Sequence, residues 1–148
     1  MQQSVFIDQD GELVEVTLHP EHFSIDESAI DATLCQMGKL ILDYGTVEAE
    51  VKLRVGKLSA DLEHVRAILD KEIRDQLKAS DERATEARVQ GEIARHETYI
   101  TYVQALNQAE RDAAMMRWVM EALRHKSECL RAYAYRENQS MKMDNKYS

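Results

Sequence analysis

Apolar residues recur at steps of three and four along two long stretches of this chain, and a short polar break separates them. The first stretch covers about residues 26 to 79 and contains no proline. Such steps are the period of an α-helix with one covered face. The apolar positions resume at Val89 and continue to Leu130, so the pattern predicts a second helix that ends near residue 137.

The break at residues 79–82 interrupts the apolar pattern, and Ser80 and Asp81 are residue types that often cap a following helix. Two helices of similar length joined near residues 80–85 are expected to fold back on each other. The numbers of facing residues then add up to about 164, which places Tyr44 opposite Met120. The predicted fold class is therefore mainly α, a long antiparallel helical hairpin of coiled-coil type.

A β-hairpin is predicted ahead of the helices. Residues 4–18 form two alternating, β-branched runs around Asp8-Gln9-Asp10-Gly11, and Gly11 supplies the positive φ that tight hairpin turns require. Pro20 ends the second strand, and Ser24 with Glu27 has capping-box spacing for a helix that starts near residue 25. The sequence thus predicts an arm at 1–22, a helical hairpin at 23–137 and a flexible polar tail at 138–148.

Charge divides the chain unevenly. The net charge is −8, and residues 1–29 carry seven acidic residues but no Lys or Arg. The remaining residues hold 20 acidic against 19 basic side chains, a net charge of −1. The acidic excess therefore belongs to the N-terminal arm, and the helical body is nearly neutral with room for local basic patches.

Several classes of protein are disfavoured. No run of eighteen apolar residues would span a membrane, and the first residues lack the basic and apolar parts of a signal peptide. The two cysteines, Cys35 and Cys129, form no CxxC pair. These features predict a cytoplasmic protein, in the host cell's cytoplasm if a phage encodes it, without a membrane partner.

Catalytic signatures are also lacking. No glycine-rich phosphate loop, GxSxG or HExxH motif occurs, and no histidine follows a glutamate by three positions as di-iron helical bundles require. Asp61 and His64 come nearest to that spacing, and solvated side chains on an exposed face explain them more simply. The sequence predicts neither an enzyme nor a cofactor or metal site.

A first set of basic residues lies around the polar break. Lys71, Arg74 and Lys78 are spaced three and four apart and share one helix face, which a phosphate backbone could follow. Interleaved acidic residues make an ordinary solvated face the simpler interpretation. The candidate DNA-binding residues are Lys71, Arg74, Lys78, Arg83, Arg88 and Arg66.

A second basic stretch near the C-terminus is interleaved with aromatic residues that suit stacking on unpaired bases. It comprises Arg117, Arg124, Lys126, Arg131 and Arg136 with Trp118, Tyr133 and Tyr135. The simpler interpretation of Trp118 is an interface anchor. Two helices alone leave much apolar surface exposed, which predicts a homo-oligomer. Its candidate interface residues are Trp118, Met116, Met120, Leu123 and Leu130.

The order of these features resembles a known family. An extended lead-in at 23–26 precedes a long helix, and a basic turn region leads to Thr85-Glu86-Ala87-Arg88. A tyrosine-containing segment at 99–103 then precedes Arg117-Trp118-Val119-Met120 and the residues to Arg124. This layout, over roughly residues 23–137, resembles the UvsY-like recombination mediators of tailed phages. The acidic arm has no counterpart in that pattern, and the chain is more acidic than a DNA mediator would be expected to be.

The resemblance implies a non-enzymatic helical protein that forms a ring of roughly six or seven subunits. It implies binding of single-stranded DNA and loading of a RecA-like recombinase in place of single-strand-binding protein. Lys71 and Arg74 match the family's basic patch only in part, because their spacing is Lys-x-x-Arg. The C-terminal helix with Trp118 would contribute to assembly. The alternative is a coiled-coil adaptor or phage assembly protein that binds proteins only.

Overall fold

The computed structural model describes residues 2–148 and is mainly helical, with a short two-stranded sheet at the N-terminus. Two strands come first, β1 at Gln3–Gln9 and β2 at Glu12–Leu18. Two 3-10 turns follow, at Pro20–His22 and Glu27–Ala29. The helices are α1 at Ile30–Ala79, α2 at Glu86–Arg95 and α3 at Glu97–Tyr147.

The predicted β-hairpin is confirmed. The strands are antiparallel, with Val5 opposite Val16 and Gln9 opposite Glu12, so only Asp10 and Gly11 form the loop. Both loop residues have positive φ, 52° and 85°, as a two-residue turn that matches the strand twist requires. The Gly11 amide donates to Asp8 Oδ1 at 3.0 Å and closes the turn.

The start of α1 differs from the prediction. The capping box is not formed, since the Ser24 hydroxyl donates to the Glu21 carbonyl instead. Asp26 is the capping residue of the 3-10 turn and accepts from the Ser28 amide at 2.9 Å and from its hydroxyl at 2.6 Å. These two hydrogen bonds lower the pKa of Asp26. Because this turn precedes α1, the α-helix begins at Ile30.

The second half of the helical region contains two helices where the pattern predicted one. Thr85 caps α2, accepting from the Arg88 amide, while Asp81 lies in the left-handed region with φ 55°. His96 is extended, with φ −70° and ψ 130°, and separates α2 from α3. The break involves neither proline nor glycine, so the sequence did not mark it. Helix α3 continues to Tyr147, past the predicted end, so residues 138–147 are helical although they lack an apolar period.

The chain forms two compact units. The first, here called the hairpin unit, contains the residues up to Val51 together with Ala113–Ser148. The second, the turn unit, contains Lys52–Asp112. The boundary therefore crosses the two long helices.

The hairpin unit has an apolar core that joins both strands to two helices. One face of the sheet and the facing turns of α1 and α3 contribute to it. A methyl group added at Gly45 would lie 3.7 Å from Met120 Cε, which agrees with the predicted register of residues adding up to about 164. The buried members are Val5, Ile7, Leu18, Ile30, Met37, Tyr44, Val51, Met116, Val119, Leu123 and Leu130.

The turn unit has a smaller core. Its buried residues are Leu69 and Ile73 of α1 with Val89 and Ile93 of α2. Val65, Leu77, Ala84 and Tyr99 pack around them as partly buried neighbours. Helix α2 is thus held to α1 by one short row of apolar contacts. The candidate site consists of polar residues on either side of this row.

Candidate functional site

Arg74, the centre of the predicted basic stripe, is bound to two carboxylates. Its Nε donates to Asp70 Oδ1 at 2.7 Å, and its Nη2 donates to Glu86 Oε2 at 2.5 Å. These hydrogen bonds raise the pKa of Arg74 above its usual value. The pKa of Glu86 is lowered by a hydrogen bond from Gln90 and then by Arg74. Arg74 therefore fastens α2 to α1, and its charge is locally balanced.

Two further predicted DNA contacts are also engaged. Arg88 forms an ion pair with Glu82 in the turn before α2. Arg66 donates through Nη2 to the neutral Gln90 amide oxygen at 2.8 Å. Arg88 is locally balanced like Arg74, whereas Arg66 keeps an uncompensated positive charge.

Lys71, Lys78 and Arg83 are the available cations of the predicted set. All three side chains are exposed, and none forms a hydrogen bond or ion pair with any other residue of the described range 2–148. Lys78 and Arg83 line a surface depression of about 510 Å³ around the turn. Acidic residues share that lining, namely Asp75, Asp81 and Glu82. The structure thus divides the six predicted contacts into three available cations, two balanced arginines and Arg66.

The predicted oligomer-interface residues fall into a buried group and an exposed one. Met116, Leu123 and Leu130 have no exposed surface, because they fill the core of the hairpin unit. Met120 is partly buried against the same core, and Trp118 is 70% exposed. Their role in assembly stays a prediction, but of the five only Trp118 offers a largely open side chain.

An open groove of about 600 Å³ runs along the hairpin unit between α1 and α3. Arg117, Arg124 and Arg131, spaced by seven, line it in alternation with Glu121 and Glu128. None of these five side chains has a hydrogen-bond or ion-pair partner in the part of the chain that the structure describes. Ile41 and Met120 supply its apolar floor. The sequence carries the signal as steps of four and three with alternating charge, although the predicted basic stretch contained the arginines and not the glutamates.

Lys126, predicted as part of a basic stretch, is 4% exposed and takes a structural position. Its Nζ donates to the His22 carbonyl at 2.6 Å, and burial lowers the pKa of Lys126. Beside it, the Tyr44 hydroxyl lies 2.8 Å from His22 Nδ1 and 3.4 Å from the His19 amide. Burial also raises the pKa of Tyr44. This polar cluster fastens the segment after β2 to α1 and α3.

The turn unit contains a second buried polar pair that the sequence did not mark. Asp112 is 1% exposed, accepts from Gln108 Nε2 at 3.0 Å, and lies 3.8 Å from Arg54 Nη1. That Nη1 atom is buried and makes no hydrogen bond. Residues 54 and 112 agree with the predicted register, so this charged pair joins facing turns of α1 and α3.

Other chemistry has little support from the geometry. No group of three or more His, Cys, Asp or Glu residues within residues 2–148 is placed to hold a metal ion. Cys35 and Cys129 are free thiols, and Cys129 Sγ lies 3.7 Å from His125 Nε2. No helix in the described range has the length and apolar character needed to cross a membrane.

The structure therefore presents an available set of cations in the turn unit, an alternating groove and an exposed tryptophan in the hairpin unit, and an acidic arm. Comparison of the chain with models of protein families, with curated proteins and with solved structures finds no match in any of the three.

Proposed function

We propose that this protein binds single-stranded DNA through the turn unit and acts as a recombination mediator. In this role it helps a RecA-like recombinase load in place of single-strand-binding protein. The observation that supports the proposal is the availability of Lys71, Lys78 and Arg83, which are exposed and have no carboxylate partner within residues 2–148. Cations without internal partners are the groups that phosphates can bind without first breaking an ion pair.

Three phosphate contacts per chain give weak binding, so the proposal requires several chains to act on one strand. Linked sites raise the effective concentration of each further contact and increase total affinity without new chemistry. A homo-oligomeric ring, which the family resemblance implies, would supply that multiplicity. Arg66 would add a weaker contact, because its charge is not balanced by a carboxylate.

The alternating groove of the hairpin unit is the surface we propose for assembly. Its lining combines Met120 and Ile41 with five charged side chains that lack partners within residues 2–148, namely Arg117, Arg124, Arg131, Glu121 and Glu128. A helix from a second copy with the same alternation could pair each charge with its opposite and cover the apolar floor. This proposal moves assembly away from Met116, Leu123 and Leu130, which the chain's own core already occupies.

The DNA-binding site is tested by changing Lys71, Lys78 and Arg83 together to Ala. Fluorescence anisotropy with a labelled single-stranded oligonucleotide, repeated over a salt series, measures the effect. We expect at least a tenfold loss of affinity. The plot of log affinity against log salt should also flatten by about 2 for each chain that contacts the strand, since each lost phosphate contact removes roughly 0.7 from the slope.

The matched control changes three exposed cations of the hairpin unit, Lys39, Lys142 and Lys146, to Ala. It removes the same charge from another place, so the control should bind nearly as the parent does. Equal losses in both triple variants would mean that net charge alone governs binding, and the turn-unit site would then be rejected.

The second candidate function is a coiled-coil adaptor that binds proteins only. The observation that favours it is the acidic balance, with five acidic residues in the arm and internal carboxylates on Arg74 and Arg88. The parent protein separates the two functions. Absence of oligonucleotide binding at low salt, where electrostatic attraction is strongest, would select the adaptor.

Assembly is tested by light scattering and analytical centrifugation of Arg124→Glu, which replaces the central cation of the groove. We expect the variant to dissociate at concentrations where the parent is oligomeric. Lys39→Glu changes the charge equally on an exposed position of α1 outside that lining and serves as the control. A parent that is monomeric at all concentrations would reject the assembly proposal.

A further inference from the structure

A second groove in the hairpin unit lies where the arm meets α3. It has a volume of about 340 Å³ and is lined almost entirely by apolar side chains. The arm contributes Gln3, Leu18, Pro20 and Phe23, and α3 contributes Met115, Trp118, Val119 and Ala122. Its size suits an inserted apolar or aromatic side chain, the usual anchor of a protein interface.

Trp118 makes this groove unusual. The side chain is 70% exposed, and neither its ring nor its indole N–H has a partner among the residues that the structure describes. An exposed indole face attracts Lys or Arg, most strongly when the contact excludes water. The groove thus offers an apolar pocket and an adjacent surface for a cation.

The arm adds negative charge next to the groove. Glu21 lies in the same 3-10 turn as Pro20, which lines the groove. Glu15 and Glu12 lie on β2 three and six residues before Leu18, so they are roughly 10 and 20 Å from the groove along the strand. Glu15 accepts from the Ser4 hydroxyl and Glu21 contacts the His19 ring, so within residues 2–148 neither pairs with Lys or Arg. These carboxylates would attract a cationic partner over a distance of about one Debye length, roughly 10 Å.

We propose that the Trp118 groove docks a basic segment of a partner protein. One apolar side chain of the segment enters the groove, and its Lys and Arg side chains contact the Trp118 ring and the carboxylates of the arm. This function lies outside the proposed DNA binding and does not depend on it, because the proposed DNA contacts belong to the turn unit.

Two other occupants fit less well. Single-stranded DNA could stack on Trp118, but its phosphates would meet an arm of five acidic residues without Lys or Arg. A second copy that docks symmetrically through the same surface would bring the same acidic arm, and like charges disfavour that contact. On α3 the residues that line this groove, at 115, 118, 119 and 122, are different from those of the alternating groove.

The test uses the emission of Trp118, which is the single tryptophan of the chain and therefore reports on this groove alone. The probe is a short synthetic peptide without Trp or Tyr, containing Lys, Arg, Leu and Phe. One matched peptide replaces Lys and Arg with Glu, and another replaces Leu and Phe with Ser. We expect a saturable blue shift with the first peptide and at least tenfold weaker binding of the other two.

Two variants keep Trp118 as the fluorescent reporter. One closes the groove, and the other removes negative charge from the arm. Ala122→Arg blocks the groove at an exposed position, and Ala60→Arg, exposed on α1, is its control. Replacing Glu12, Glu15 and Glu21 with Gln removes three of the five carboxylates of the arm, and the same change at Glu63, Glu72 and Glu110 is the control. We expect each groove variant to bind the basic peptide at least tenfold more weakly than the parent does, and both controls to bind it as the parent does.

Three results would overturn the proposal. The first is no shift with the basic peptide, or an equal shift with its acidic counterpart. The second is a shift caused by a single-stranded oligonucleotide that Ala122→Arg abolishes, which would assign the groove to DNA. The third is a concentration-dependent shift of the protein alone that disappears in Ala122→Arg, which would assign it to a second copy.

Discussion

The two units of this chain are stabilised by different means. In the hairpin unit, strands and two helices share one apolar core with eleven buried members, and its polar cluster at Lys126 lies at the edge. In the turn unit, only four residues are buried in the core. Ion pairs at Arg74 and Arg88 flank them, and the buried pair of Arg54 and Asp112 lies in the same unit.

This difference indicates which surface residues of each unit can bind a ligand without being needed for stability. A large core tolerates an exposed Trp118 and an open groove on its surface, because neither contributes much to folding. Around the smaller core, basic residues are divided between ion pairs within the chain, as at Arg74 and Arg88, and availability to a ligand. Arg74 and Lys71 are close in sequence, yet only Lys71 is available.

The largest loss of unfolding free energy is expected for Asp112→Ala in the turn unit. The change leaves the Arg54 guanidinium buried without its carboxylate, which typically costs about 3–5 kcal/mol of unfolding free energy. Urea denaturation measures it, with the exposed neighbour Glu110→Ala as control. The double variant Arg54→Met with Asp112→Leu should recover most of the loss, since well-packed apolar residues often replace a buried ion pair at no net cost. A loss under 1 kcal/mol in the single variant would contradict the importance of this pair.

Leu123→Ala and Ile93→Ala compare the two cores directly. Each side chain is almost fully buried, and each truncation is expected to cost about 2–5 kcal/mol. Amide hydrogen exchange shows where the protection is lost. If the units open separately, Ile93→Ala speeds exchange mainly within Lys52–Asp112 and Leu123→Ala mainly in the hairpin unit. Equal loss throughout the chain in both variants would show that the two units unfold together.

Lys126→Ala tests the polar cluster of the hairpin unit. It leaves the His22 carbonyl without its donor, an unsatisfied group that costs about 1–3 kcal/mol. The loss should concentrate in the arm, so amide exchange of β1 and β2 is expected to increase more than that of α2. Unchanged protection of the strands would mean that the apolar core alone holds the arm in place.

Substitution of glycine within α1 is expected to stabilise both units by a similar, smaller amount. Gly38 of the hairpin unit and Gly56 of the turn unit lie in α1, and apart from the adjacent backbone of α1 no atom lies within 4 Å of where their Cβ would be. Gly38→Ala and Gly56→Ala should each add about 0.5–1 kcal/mol, measured by thermal unfolding. A loss of stability at either site would reveal a close packing partner, such as a second chain.

The smallest change in stability is expected for Arg74→Ala, because the ion pairs of Arg74 are exposed to solvent. The pKa of Glu86 is lowered in the folded chain, so its contribution is present above the unfolded pKa and decreases as the pH falls through the folded value. The difference in melting temperature between parent and variant should therefore be full at neutral pH and diminish below about pH 4.5. A difference that is independent of pH would exclude this ion pair as its source.

Much of the fold follows from the pattern of the sequence. Alternation around Asp10 and Gly11 predicted the hairpin, and steps of three and four predicted the helices, because both signals reflect local geometry. The break at His96 was not predictable in this way, since it arises without proline or glycine. The capping residue is Asp26, but Ser24 was an equally plausible candidate. The sequence pattern alone does not show which of the two forms the cap.

The candidate site was less predictable than the fold. Helical spacing correctly placed Lys71, Arg74 and Lys78 on α1, but it does not tell which cations carboxylates from another helix will reach. Glu86 reaches Arg74 from α2, twelve residues away in sequence. Burial of Lys126 likewise depends on the arm, which packs on α3 only in the folded chain.

The bond between Lys126 and the His22 carbonyl has a consequence for the order of folding. It joins residues 104 positions apart, whereas the bond between Arg66 and Gln90 spans 24. Closing the longer loop costs more chain entropy, unless contacts near the turn have already shortened the path. We therefore expect the turn unit to form early and the acidic arm to dock last. A newly made chain would then expose its arm, and the carboxylates on it, before the Trp118 groove is complete.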